Sequence, residues 1–265
     1  MTVWEVLAPR RKQEVCRTSR WPSNLGVVLL DTLLVRVLFP TTAVGLALLA
    51  ETKHFGVFNV WPIPGLIAVI ASVVILDLVI YLQHVLFHAV PALWRLHRMH
   101  HADLEFDVTT GARFHPIELA VIGALGAPPV AVLIFEVLLN ATAMFNHSNV
   151  RLPAAIDQFL RWLVVTPDMH RVHHSVVVRE TNSNFGFNLP WWDRLFGTYR
   201  EQPDARHDRM TIGVEEFRDP GEQRLDRMLT QPFRKSDRAY VLGRRDSEYG
   251  RQRHESSVRQ KETAP

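Results

Sequence analysis

The sequence predicts an all-α fold: an integral-membrane helical bundle with a cytoplasmic, histidine-rich helical cap. Three observations carry that prediction. Long apolar runs alternate with polar, basic segments between Leu25 and Val165. Nine of the 13 histidines fall into four clusters with helical spacing. Those clusters lie at the ends of the apolar runs, where a membrane helix would emerge. The average composition (47% apolar, net charge +3) conceals this segregation, because the charged residues concentrate at the two ends of the chain. The single cysteine, Cys16, excludes an internal disulfide framework and any cysteine-based metal site. No basic stripe interleaved with aromatics appears, which argues against nucleic acid as a partner.

The elements follow in order. Residues 1–23 carry Arg10, Arg11, Lys12, Arg17 and Arg20 with no small-residue cleavage site, so they read as a basic cytoplasmic segment rather than a signal peptide. Leu25 to Ala50 is long enough for one crossing at about 20 residues. Asp31 and Arg36 interrupt it and must pair or face a protein interior. Gly65 to Val85 is the expected return span, ending in a histidine pair on the cytoplasmic side. Ile117 to Phe145 is apolar again, between His115 and His147, with a Gly126-Ala127-Pro128-Pro129 break. Its first arm, about eleven residues, would reach only about 16 Å, so a shallow helical hairpin is expected. Leu152 to Val165 is amphipathic and suits the membrane surface. Trp191 and Trp192 suit an interfacial aromatic belt. The expected domain plan is therefore 1–23 basic segment, 24–200 membrane-embedded catalytic domain, and 201–265 charged, largely disordered tail.

The histidines carry the chemistry. His84 and His88 form H-x3-H; His97, His100 and His101 form H-x2-H-H; His147 stands in NHSN; His170, His173 and His174 repeat H-x2-H-H. Residues three and four apart share a helix face, so each cluster can aim its rings at one point. Neutral imidazole is the commonest metal ligand, and nine of them imply more than one ion, a di-metal site. Asp77, Tyr81, His84 and His88 make one polar stripe on an apolar helix, with Asp77 and Tyr81 as expected hydrogen-bond partners of the ligands. His54, His207 and His254 are isolated and read as solvated or structural.

The whole pattern resembles the fatty acid hydroxylase superfamily, also called the sterol desaturase family. The motifs are D-x3-Y-x2-H-x3-H from Asp77, H-x2-H-H from His97, RFHPIE from Arg113, NHSN around His147, H-x2-H-H from His170, and WDRLFGT from Trp192. They cover Asp77 to Tyr199, nearly half the chain. The resemblance implies a membrane-bound non-haem enzyme with two iron ions, using O2 and two electrons to hydroxylate or desaturate a C–H bond of a lipid. It implies His84, His88, His97, His100, His101, His147, His170, His173 and His174 as ligands, with His115 as a further candidate. Asp77, Tyr81, Asn149, Asp168 and Asn184 are the implied supporting residues. Phe185 stands where relatives often carry tyrosine, which argues against a catalytic hydroxyl there.

Two further expectations follow. The chain holds no recognisable electron-carrier domain, so electrons are expected from a separate ferredoxin, cytochrome b5-like protein or flavin reductase. A competing reading is a membrane zinc hydrolase or metal-binding protein. Two zinc hydrolase sites would need about six ligands, fewer than the nine present. No motif reports the lipid, the choice between hydroxylation and desaturation, or the oligomeric state.

Overall fold

The structure is a computed structural model that describes residues 1–38, 41–61, 63–111, 124–234 and 240–242. Among the described residues it is all-helical, with two isolated β-bridges and no strand. The helices are α1 (Thr2–Leu7), α2 (Arg17–Leu38), α3 (Ala43–Thr52), α4 (Val57–Val60), α5 (Gly65–Ala89), α6 (Pro91–His101), α7 (Pro129–Asn146), α8 (Ala154–Leu160), α9 (Pro167–His173), α10 (Val178–Thr181), α11 (Trp191–Leu195) and α12 (Leu225–Thr230).

Helices α5 and α7 are long and apolar enough to cross a membrane, with 25 and 18 residues. Only 33% of the most apolar window of each is buried. A core helix of a soluble protein would be buried along most of that window. Here Leu66 is 73% exposed on α5 and Val137 60% exposed on α7. Such apolar faces are stable against lipid, and the chain is a membrane protein. The inner faces pack together: Leu76 and Ile80 of α5 meet Val132, Phe135 and Leu139 of α7 and the small Ala43 and Ala47 of α3. Only Val90 separates α5 from α6, and Pro91 occupies the first turn of α6, where its fixed φ and missing N–H cost nothing. This corner swings the second histidine cluster against the first.

Several expectations change. Leu25 to Ala50 is two helices, α2 and α3, rather than one span. The sequence places Pro40 between them, and proline disfavours a helix interior because it lacks the N–H and crowds the preceding turn. After the glycine–proline break, α7 has 18 residues, long enough for a full crossing by length. The other arm and His115 fall in residues 112–123, outside the described residues, as does His254. Trp192 faces inward and donates to Asp77 (2.8 Å), leaving Trp191, half exposed, at the surface. The amphipathic stretch does present Ile156, Phe159, Trp162 and Leu163 outward.

The expected disorder from residue 201 also fails over residues 201–234, which pack against the histidine helices. Met210 and Ile212 bury against Phe106. Val214 packs beside Trp94 and Ala102 with Tyr240 and Val241. Gln223 donates to the Ala102 carbonyl at the end of α6 (2.9 Å). Arg98 of α6 is buried, donates to the carbonyls of Gln231 and Arg234, and stacks on Phe217. Sparse apolar residues without period carry no sequence signal, yet Met210, Ile212, Val214 and Met228 are buried.

Candidate metal centre

The nine clustered histidines converge as two groups. His84, His88, His97, His101 and His173 bring five ring nitrogens within 4.8 Å of one another. His100, His147, His170 and His174 bring four together within the same limit. Each H-x2-H-H motif is therefore divided and does not aim at one point. On α6, His97 and His101 serve the first group and His100 the second. On α9, His170, with His174 at the C-cap, serves the second and His173 the first. Residues four apart share a target, and the remaining ring, offset around the helix, reaches its neighbour.

The nitrogens fit metal ions better than each other. His84 Nδ1 donates to the Phe185 carbonyl (2.8 Å), His173 Nδ1 to the Ser183 carbonyl (2.8 Å), His88 Nδ1 to Asn182 Oδ1 (3.2 Å) and His147 Nδ1 to the Ala143 carbonyl (3.0 Å). A neutral ring with its proton on Nδ1 presents a bare lone pair at Nε2. Buried Nε2 atoms of His88 and His173, and both ring nitrogens of His174, have no hydrogen-bond partner. His84 and His101 lie 3.1 and 3.2 Å, Nε2 to Nε2, from His97. His100 and His170 lie 3.2 and 3.0 Å from His147 in the same way. Two nitrogens at right angles on one ion at about 2.1 Å would stand about 3.0 Å apart. Burial, reinforced by neighbouring imidazoles, pushes His101, His170, His173 and His174 well below the ordinary histidine pKa. These rings are neutral at physiological pH, as ligation requires.

The expected supporting residues act at one remove. Asp77 accepts from the backbone of Asn188 and Leu189 and from Trp192, which fixes the loop after the ligand-orienting carbonyls. Tyr81 hydrogen-bonds Thr198 (3.0 Å) and stacks on Phe196. Asn149 pairs its amide with the backbone of Arg11. Asn184, in the left-handed region at φ 52°, ties Met169 and Arg200 together. Asp168 pairs with Arg10 and Arg171. The groups that do orient histidines were missed: Asn182 and the carbonyls of Ala143, Ser183 and Phe185. Three are backbone oxygens, which no side-chain motif reports. Asn182 stood in the visible NSN run. Asp193 holds this loop by accepting from Phe185, Gly186 and Thr198. Phe185 is fully buried, and its side chain, with the ring against His84, His88 and His173, contributes an apolar wall.

Gly111 shows how tightly His147 is seated. A Cβ there would stand 2.7 Å from His147 Nδ1 and 2.6 Å from the Ala143 carbonyl. Gly111→Ala is expected to break that hydrogen bond and weaken metal binding by the four-histidine group about tenfold to a hundredfold. Metal titration of purified variants reads this; unchanged affinity would show that the loop yields freely.

His207 is buried, 3.7 Å from Asp168, with Nε2 also near Gln202. Burial lowers its pKa to about 4, opposed by Asp168 and reinforced by Arg171, Arg10 and Arg161. Between pH 6.5 and 4 the unfolded chain takes a proton that the folded chain refuses. Stability is therefore lost as pH falls through that window, by up to roughly 3 kcal/mol. His207→Gln is expected to remove this part of the pH dependence in thermal melts, and an unchanged slope would refute the assignment.

An apolar cavity of about 260 Å³ opens beside both groups, touching His84, His97, His100, His147 and His170 together with Ile80, Phe87, Leu139 and Phe187. Residues 69–198, which include all nine histidines, match the fatty acid hydroxylase family. The chain belongs to the fatty acid hydroxylase superfamily. It is similar to the ornithine lipid hydroxylase OlsE of Rhizobium tropici, 32% identical over 210 residues, which are 76% of this chain and 60% of that protein. It is 29% identical to the alkylglycerol monooxygenase of Xenopus tropicalis over 127 residues, 45% of this chain and 27% of that one. It is 26% identical to the cholesterol 25-hydroxylase of Rattus norvegicus over 169 residues, 58% and 53% of the two chains. The chain thus spans 60% or less of the length of each of these relatives. No solved structure gives a significant match. Membership in this superfamily of metal-dependent oxygenases accords with paired histidine groups able to hold metal.

Proposed function

We propose that this chain is a membrane-bound, non-haem di-iron oxidoreductase that hydroxylates a C–H bond of a lipid. The observation that carries the proposal is the pairing of five- and four-histidine groups on one wall of an apolar cavity. Attack on an unactivated C–H bond needs a redox metal, and iron accepts imidazole ligands. Two irons bound there would supply the redox chemistry by which O2 is reduced with two electrons from a separate donor. The balance is R–H, O2, two electrons and two protons giving R–OH and water.

The chain's own residues supply position and dryness. Phe185, Ser183, Ala143 and Asn182 fix the ring orientations of four ligands. Phe87, Leu139 and Phe187 line the space where the lipid would lie and keep water from the site. Electrons would come from a separate donor: a ferredoxin, a cytochrome b5-like protein or a flavin reductase. The basic N-terminal segment is packed on the cap through Glu5, Arg10 and Arg11, so both belong on one side of the membrane, the cytoplasmic side by the positive-inside rule. The names of the relatives point to a membrane lipid, with ornithine lipid as the first to test.

Metal analysis of protein made with added iron and purified without oxygen tests the reading. About two irons per chain, with lipid-dependent O2 uptake and a product one oxygen heavier, are expected. Stoichiometric zinc with no iron under iron-replete conditions would overturn it.

A further inference from the structure

Residues 240–242 lie outside the family-matched residues 69–198, yet they close on one ligand of the five-histidine group. Tyr240 and Val241 are buried. The Tyr240 hydroxyl accepts from the Glu215 N–H (3.0 Å) and donates to the Val176 carbonyl (3.1 Å). Its ring lies 5.6 Å from that of Trp94 on α6, and Trp94 lies 4.9 Å from His88 and 5.3 Å from His101, centroid to centroid. Two hydrogen-bonded routes run from this anchored segment to His88. In the first, the Leu242 N–H donates to the His88 carbonyl (2.8 Å). That carbonyl is among the last four of α5, which have no partner within the helix. In the second, the Tyr240 carbonyl accepts from Asn182 Nδ2 (3.2 Å), and Asn182 Oδ1 stands 3.2 Å from His88 Nδ1. A carbonyl can only accept, so it fixes which end of the Asn182 amide faces it. The oxygen end is thereby turned to His88, where it too can only accept. The ring proton is held on Nδ1, and the lone pair of the buried, unpartnered Nε2 stays bare.

We infer that residues 240–242 form a strap that positions His88, with Tyr240 acting through Asn182, and that the five-histidine group binds metal at full strength only with this strap in place. Released from the Tyr240 carbonyl, the Asn182 amide is free to turn over. With its NH2 end toward Nδ1, it would drive the ring proton to Nε2 and block the lone pair there. Losing the Leu242 N–H would in turn free the backbone end of the same residue. The effect falls on one group, because His88 belongs to the five-histidine group and not to the four-histidine group. This inference rests on the reading of the histidine groups as metal sites and is independent of which lipid is oxidised.

The test is a cobalt(II) titration of the full chain in detergent micelles, stripped of metal beforehand and followed by visible absorption. Cobalt accepts imidazole ligands, and one equivalent per histidine group is expected in the unmodified chain. Leu242→Pro removes the N–H that reaches His88, and Asn182→Leu removes the amide. Each is expected to weaken one equivalent about tenfold to a hundredfold and to leave the other unchanged. Leu242→Ala keeps the N–H and should bind cobalt as the unmodified chain does. Ring-nitrogen NMR of the metal-free, histidine-labelled chain reads the tautomer directly, with the His88 signal identified by its loss in His88→Gln. It should show His88 protonated on Nδ1, and Asn182→Leu and Tyr240→Ala should each shift it toward the Nε2–H form. Native cobalt affinity in both Leu242→Pro and Asn182→Leu overturns the inference. So does equal weakening of both equivalents, the mark of a general loss of structure, or a His88 proton on Nε2 in the unmodified chain. A chain that binds no cobalt but shows the expected tautomer and its shifts supports the strap and overturns only the metal reading.

Discussion

His170→Ala is expected to cut bound metal by about half and to lower lipid oxidation at least about a thousandfold. His170 belongs to the four-histidine group, and its removal leaves only His100, His147 and His174 there. Three imidazoles hold a divalent ion less tightly than four, and the emptied position opens to water. The ring is fully buried, and its Nε2 lies 3.0 Å from that of His147. No other side chain of the described residues belongs to that group and could replace it. A metal centre contributes several kcal/mol to a transition state, and each 1.4 kcal/mol is about tenfold in rate. His97→Ala is the informative contrast. It leaves four imidazoles in its group, and His97 is the one partly exposed member. That variant should retain more metal than His170→Ala. Metal content measured beside turnover decides the matter. Full activity with the native metal content in His170→Ala would remove the four-histidine group from the mechanism.

Arg20→Leu is expected to destabilise the chain by about 3–5 kcal/mol, the usual cost of breaking a buried ion pair from one side. Arg20 is fully buried and bridges Asp103 (2.8 Å) and Asp107 (2.9 Å), both also buried. Its pKa is raised, because these two carboxylates outweigh the burial that alone would lower it. Asn24, Thr110, Thr109 and Trp21 complete the carboxylate network. Leucine would leave two carboxylates buried without a cation, directly after the last residues of α6, where His100 and His101 sit. At roughly 2–4 °C per kcal/mol for a chain of this size, the melting temperature should fall by about 10 °C. Metal binding should weaken as well, because the loop after α6 loses its anchor to α2. Arg206→Leu is the control: its pair with Asp208 is exposed and should contribute almost nothing. Similar melting temperatures for the two variants would refute the claim that this bridge holds the cap to α2.

The legibility of the site was uneven for identifiable reasons. Which histidines converge was readable, because helical periodicity is local: His84 and His88, or His97 and His101, share a face in any packing. The division into five and four was not readable. It depends on how α5, α6, α7 and α9 cross, and spacing within one helix holds no information about its neighbour. The orienting groups were missed because most are backbone carbonyls of residues 183–185 and 143. Asp77 and Tyr81, expected as hydrogen-bond partners of the ligands, are buried and bond instead to the segment from Asn188 to Thr198.

The sequence by itself determined the apolar spans α5 and α7, the nine histidines and the family motifs around them. Each of these rests on composition or on period within a single segment. Only the tertiary structure decided that α2 and α3 are separate helices, that residues 201–234 close over the cap, and that Gln83 faces the cavity with an unpaired oxygen. Those outcomes depend on contacts between residues tens to hundreds of positions apart, and such contacts leave no period in the chain to read.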